Sequence, residues 1–201
     1  MYCPRSRRIR NPSNASGLSA RCYKARRRRC ANRRRATSII RREPVAKIPA
    51  ELAEGQTWRI GVIADTHNRW QPAIATLFAD VNEIWHLGDV CQERVLDELR
   101  CLSDRVICVL GNNDYLIDYP LTRKEMRFGE SFYLIHIPPG RLMERTDWLL
   151  HGHTHHPRNE VLAGVRWFNP GSAGQSRGSP LSVGFLTKVG SAPFRAEVVR
   201  V

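Results

Sequence analysis

Three short apolar runs, each closing on a polar group, constrain this chain more than any other feature. They are "WRIGVIADTH" (58–67), "EIWHLGD" (83–89) and "RVICVLGNND" (105–114). Each is a β-branched stretch of buried-strand type. Between them, "QPAIATLFADV" has helical spacing with Pro72 near its start. "QERVLDELRCL" is amphipathic, with Val95, Leu96, Leu99 and Leu102 on one face. Strand, helix, strand, helix, strand is the grammar of a parallel α/β fold. In such open sheets, sites form beyond the carboxyl ends of the strands. Asp65, His67, Asp89 and Asn112 fall there.

The second half reads differently. "SFYLIH", "DWLLHG", "GVRWFN", "SVGFLTKV" and "FRAEVVRV" are strand-like and separated by Gly, Pro and Ser. Only "GRLMERT" hints at a helix. A βαβαβ half followed by a mostly β half suits two sheets packed face to face, with helices outside. No internal repeat is visible.

The chain has 201 residues, 42% of them hydrophobic, enough for one domain and a tail. No apolar run reaches the roughly 18 residues of a membrane-spanning helix. The net charge of +13 is not shared along the chain. Residues 1–56 hold sixteen Lys and Arg against three Asp and Glu, whereas residues 57–201 hold sixteen of each. Arginines as dense as "ARRRRCANRRR" repel one another and cannot build a core. Residues 1–56 are therefore expected to be a disordered basic tail and linker, with "PVAKIPAELAEGQ" as linker or short helix, and residues 57–201 the folded domain. The tail is open to three readings: a nucleic-acid-binding arm, a transit peptide, or a dispensable extension, which is favoured. The six cysteines form no CxxC pair and follow no apolar leader, so reduced thiols and a cytoplasmic protein are expected.

The chemistry concentrates at strand ends. "LLHGHTHHP" places His151, His153, His155 and His156 within six positions, and His136 closes "LIHI". Carboxylate, amide oxygen and imidazole are ligands for Mn, Fe, Ni or Zn. Asp65, His67, Asp89, Asn112, His136, His153 and His155 make seven such groups, more than one ion takes. Two ions sharing a bridging carboxylate, roughly 3.5–4 Å apart, would use them all.

The ordered series D-x-H, G-D, G-N, H, G-H-x-H resembles the calcineurin-like metallophosphoesterases. Here it reads "DTH" (65–67), "GDV" (88–90), "GNND" (111–114), His136 and "GHTH" (152–155), spanning about Ile60 to Ser172. "NPGS" (169–172) is typical of the small cap-less bacterial and archaeal phosphodiesterases of that family. The resemblance implies a four-layer α/β/β/α sandwich. It implies that Asp65, His67 and His155 hold one divalent ion, that Asn112, His136 and His153 hold another, and that Asp89 bridges them. Mn is foremost, with Ni, Fe or Zn as alternatives. A hydroxide between the ions would attack a small phosphodiester, with Asp89, Asn112, Asn113 and Asp114 as the catalytic residues. His86, His151 and His156 are read as bystanders or as supports behind the ligands.

Two departures qualify the match. Larger relatives carry a histidine acid where this chain has Asn113, which cannot protonate a leaving group at neutral pH. "HIPPG" stands where relatives often have His-Gly, which puts bulk beside the second group of ligands. Two rivals to the phosphodiesterase reading remain open. One is a protein-interaction scaffold like the retromer subunit of the same fold. The other is a nucleic-acid phosphodiesterase using the basic tail, not favoured because the domain itself is charge-neutral.

Overall fold

The structure is a computed structural model, and it describes residues 47–141 and 145–201. The elements run β1 (Thr57–Ile63), α1 (Pro72–Leu77), β2 (Glu83–His86), α2 (Glu93–Arg100), β3 (Val106–Cys108), β4 (Thr122–Arg127), β5 (Glu130–Ile135), β6 (Trp148–Leu150), β7 (Arg158–Leu162), β8 (Val165–Asn169), β9 (Ser182–Val189) and β10 (Arg195–Arg200). They form two mixed sheets of five strands. The first is ordered β10-β9-β1-β2-β3, with β1, β2 and β3 parallel and β9 and β10 antiparallel beside them. The second is ordered β4-β5-β6-β8-β7, a parallel centre between antiparallel edges.

Strand alternation puts apolar side chains of β1 and β2 on both faces of the first sheet. Ile63 and Ile84 meet Ile74 of α1, Phe78 just after it, and Val95, Leu96 and Leu99 of α2, on the outside of the first sheet. Ile60, Val62 and Trp85 point the other way, into Phe132, Leu134, Trp148 and Phe168 of the second sheet. Cutting one such buried aliphatic to Ala typically costs about 2–5 kcal/mol.

The expected α/β architecture of paired sheets with an outer helical layer is what the chain adopts. The four-layer α/β/β/α sandwich is what the resemblance implies; "GRLMERT", the one helix hint in the second half, has its centre, residues 142–144, outside the described residues. The disordered tail was expected over residues 1–46 and beyond, and those 46 residues also lie outside. Residues 47–56 hold no helix, so the linker reading applies there. Two strands escaped the sequence reading, β4 ("TRKEMR") and β7 ("RNEVL"). Both are charged, largely exposed edge strands, the composition that keeps an edge from pairing with another chain.

A polar staple joins the sheets. Glu83 on β2 accepts two hydrogen bonds from the Arg127 guanidinium on β4, both 2.8 Å, and one each from the indoles of Trp58 and Trp85, at 3.0 and 3.2 Å. Cys91 and Cys108 are free thiols. Cys101 is disulfide-bonded, which departs from the expectation of reduced thiols. Among the described residues no helix is long and apolar enough to cross a membrane.

Candidate metal centre

The candidate ligands sit on five loops, all at the carboxyl ends of parallel strands: β1, β2, β3, β5 and β6. Five of the seven are left-handed in backbone: Asp65, His67, Asp89, His153 and His155 have φ between 44° and 69°. Such conformations cost energy in non-glycine residues and gather at sites whose surroundings enforce them. Close packing of the loops does the enforcing. A Cβ on Gly111 would lie 2.1 Å from the Asp89 nitrogen, and one on Gly88 would lie 2.7 Å from the Gly111 nitrogen. The glycines of "GDV" and "GNND" thus let two loops interlock.

Asp65, His67 and His155 come together. The His155 Nδ1–H donates to the Gln175 carbonyl at 2.8 Å, leaving the Nε2 lone pair free. That Nε2 lies 3.3 Å from Asp65 Oδ1 and 3.2 Å from His67 Nε2. A second group forms around Asn112, whose Oδ1 lies 3.1 Å from His136 Nε2 and 2.9 Å from His153 Nδ1. His136 is oriented in the same manner: its Nδ1–H donates to the Leu87 carbonyl at 2.7 Å. Asp89 stands between the groups, its Oδ2 at 3.6 Å from His67 Nε2 and 3.5 Å from His136 Nε2. Asp65 reaches both groups, with its Oδ1 4.0 Å from His136 Nε2.

The donor set suits divalent cations. Two buried carboxylates and several imidazole nitrogens converge, and no Lys or Arg among the described residues pairs with Asp65 or Asp89. Burial pushes the Asp65 carboxyl up to about 7, and the Asp89 charge adds to this, while His136, the His153 N–H and Arg177 pull it back. Asp89 goes the other way: burial would raise it, but His136 and the two Asn113 hydrogen bonds hold it well below the usual carboxylate range. Burial lowers His67, His153 and His155, which keeps their nitrogens neutral and able to ligate. On His136 the same burial is outweighed by Asp89 and Asp65, so its pKa is raised and a cation there would displace its proton.

Asn113 donates twice to Asp89, its backbone N–H to Oδ1 at 2.9 Å and its amide to Oδ2 at 2.7 Å. Asp114 has both oxygens taken by backbone, by the Cys91 N–H at 2.6 Å and the Gly111 N–H at 2.8 Å, so it fastens two loops. His86 is fully buried, and its Nδ1 accepts from the Gly88 N–H at 3.2 Å. Its Nε2–H therefore donates to Thr66 Oγ1, 3.1 Å away, bracing "DTH" against "GDV". His151 is buried, its Nδ1 bonded to the Gly152 carbonyl, whereas exposed His156 meets Ser179. Ile137 is half exposed beside His136. Sequence reasoning missed Ser172 and Gln175 as supports: Ser172 Oγ donates to the Asp65 carbonyl at 2.9 Å, and Gln175 aims His155 through its backbone. "NPGS" was the available signal for the first; no side chain announces the second.

A profile of the calcineurin-like phosphoesterase superfamily domain matches residues 58–189. A probable metallophosphoesterase of Methanocaldococcus jannaschii is 35% identical over 137 residues, covering 59% of this chain and 69% of the relative. One of Methanothermobacter thermautotrophicus is 34% identical over 159 residues, covering 70% and 91%. Among solved structures, vacuolar protein sorting 29 of Cryptosporidium parvum superposes with a TM-score of 0.60 at 19% identity, covering 72% of this chain and 99% of that one. At that identity the likeness is one of fold.

Proposed function

The chain belongs to the calcineurin-like phosphoesterase superfamily, and we propose that it is a phosphodiesterase working with two divalent ions, Mn foremost. The observation that carries this is the convergence of Asp65, Asp89 and the His67, His136 and His155 Nε2 atoms, with Asp89 between two groups of donors. Asp65, His67 and His155 would hold one ion, Asn112, His136 and His153 the other, and Asp89 both. Ions bound there would neutralise phosphoryl oxygens and bring the pKa of water toward neutrality. The chain's own part is positional. Gln175 and Leu87 hold the two imidazoles in the tautomer that offers Nε2. Asn113 holds Asp89 ionised and oriented between them.

Asn113 donates but cannot give up a proton, so the reading favours substrates whose leaving group departs without strong acid assistance. The preference for diesters over monoesters rests on the resemblance to cap-less phosphodiesterases. The scaffold reading has the fold of the sorting protein behind it, but nothing in a scaffold calls for a complete donor set. Metal-stripped protein should be inactive on bis(p-nitrophenyl) phosphate and regain turnover with Mn²⁺. It should turn over p-nitrophenyl phosphate more slowly. Folded protein inert with every divalent ion would overturn the enzyme reading in favour of the scaffold; faster monoester turnover would overturn the diester preference.

A further inference from the structure

One lip of the centre carries guanidinium groups that the ligand set does not use. Arg69 is exposed on the loop after β1, and its Nη1 donates to the Gly174 carbonyl at 3.4 Å. Arg177 is exposed on the loop between β8 and β9. That loop is fastened on both sides of Arg177. The Gln175 N–H donates to Ser172 Oγ at 2.9 Å and the Ser176 hydroxyl to the Ser179 carbonyl at 2.7 Å. Below it, a Cβ on Gly174 would lie 1.9 Å from the Thr66 carbonyl oxygen, so the loop is wedged against "DTH". Arg177 is thus held two residues from the carbonyl that aims His155, and its charge is felt at Asp65, His67, His153 and His155.

Arg59, Arg100, Arg123, Arg127 and Arg158 each pair with a carboxylate. Among the described residues Arg69 and Arg177, like several other exposed arginines, pair with none; what sets these two apart is their place on the loops that carry and aim His67 and His155. Two unpaired guanidiniums beside a cation-binding cluster repel what the cluster attracts, and an anion across them relieves that repulsion. The ions would take the scissile phosphoryl oxygens. The arginines stand outside the ligand set, on the His67 and His155 side, where a neighbouring group of the substrate would lie.

We propose that Arg69 and Arg177 form a second anion subsite, which recognises a phosphoryl group adjoining the scissile one, so that the protein selects small substrates carrying at least two phosphoryl groups. This rests on the phosphodiesterase reading above. The test is inhibition of bis(p-nitrophenyl) phosphate turnover by adenosine 5′-diphosphate and 5′-monophosphate at buffered free Mn²⁺. The unmodified protein should bind the diphosphate at least about tenfold more tightly, as expected of charge-assisted Arg–phosphate bonds. Arg69→Ala with Arg177→Ala should bring the ratio near one, and Arg177→Lys should keep part of it. Equal binding of the two nucleotides by the unmodified protein, or a ratio that survives the double substitution, would overturn the subsite. So would a loss of affinity shared equally by both nucleotides, which would place the arginines on the scissile phosphoryl itself. If the unmodified protein turns over nothing, the phosphodiesterase reading fails, and calorimetric titration of the same nucleotides still reads the subsite.

Discussion

The four clustered histidines divide by what each nitrogen meets. His155 and His153 approach Asp65 and Asn112, whereas His151 meets a carbonyl and His156 a surface serine. His153→Ala and His155→Ala should therefore each lower turnover by more than about 100-fold and reduce bound metal, with His156→Ala below about tenfold. Equal losses across the four, measured as turnover and metal content, would void the division. Asp89→Asn should be as damaging as either and should lower bound metal toward one ion or none. A second residue-scale expectation concerns protons. Burial lowers His86 to about 3 and His151 to about 4. A histidine lowered on folding binds its proton more readily in the unfolded chain. Its stabilising share is whole above about pH 6.5 and is lost as pH falls. Between pH 6.5 and 5, the fully buried His86 should contribute about 2 kcal/mol of that loss. Denaturant midpoints for the protein and for His86→Gln should converge as pH falls; parallel pH profiles would show that His86 does not carry the acid sensitivity.

At the scale of elements, what holds β2 to β4 is a desolvated ion pair. Removing one partner leaves the other charged and buried, which typically costs about 3–5 kcal/mol. Glu83→Gln should thus destabilise strongly, while Glu83→Leu combined with Arg127→Leu removes the buried charge but leaves the Trp58 and Trp85 indoles without an acceptor, so it should recover only part of the loss. A double-mutant cycle in denaturant reads the coupling, and additive losses would show that the pair is not acting as one. β4 also shows why some elements resist reading. Of Thr122 to Arg127 only Arg127 is buried, so the strand has no apolar alternation, and pairing with β5 is what makes it a strand. The same holds for β7 beside β8. α1 and α2 were legible because their apolar spacing is dictated by the sheet they cover, although α1 stops at Leu77, short of the full "QPAIATLFADV" pattern.

For the molecule as a whole, the charge excess and the fold are separable. β1 begins at Thr57, and no described residue before it belongs to either core. Deleting residues 1–50 should leave the fold and, in reducing buffer, metal-dependent turnover intact. A truncated protein that is insoluble or inactive would move the boundary toward the amino terminus.

The sequence alone determined the class of fold, because buried parallel strands must be apolar and must alternate with helices that cover them. It determined the identity of the candidate donors too, because chemistry at strand ends needs carboxylate, amide and imidazole whatever the details of packing. Tertiary structure alone decided how those donors meet. Left-handed backbone at Asp65, His67, Asp89, His153 and His155, the interlock of Gly88 with Gly111, and the carbonyls of Leu87 and Gln175 that turn two imidazoles depend on loops far apart in the chain. It also decided that Arg69 meets the β8–β9 loop that carries Arg177, since that loop is wedged against the loop after β1.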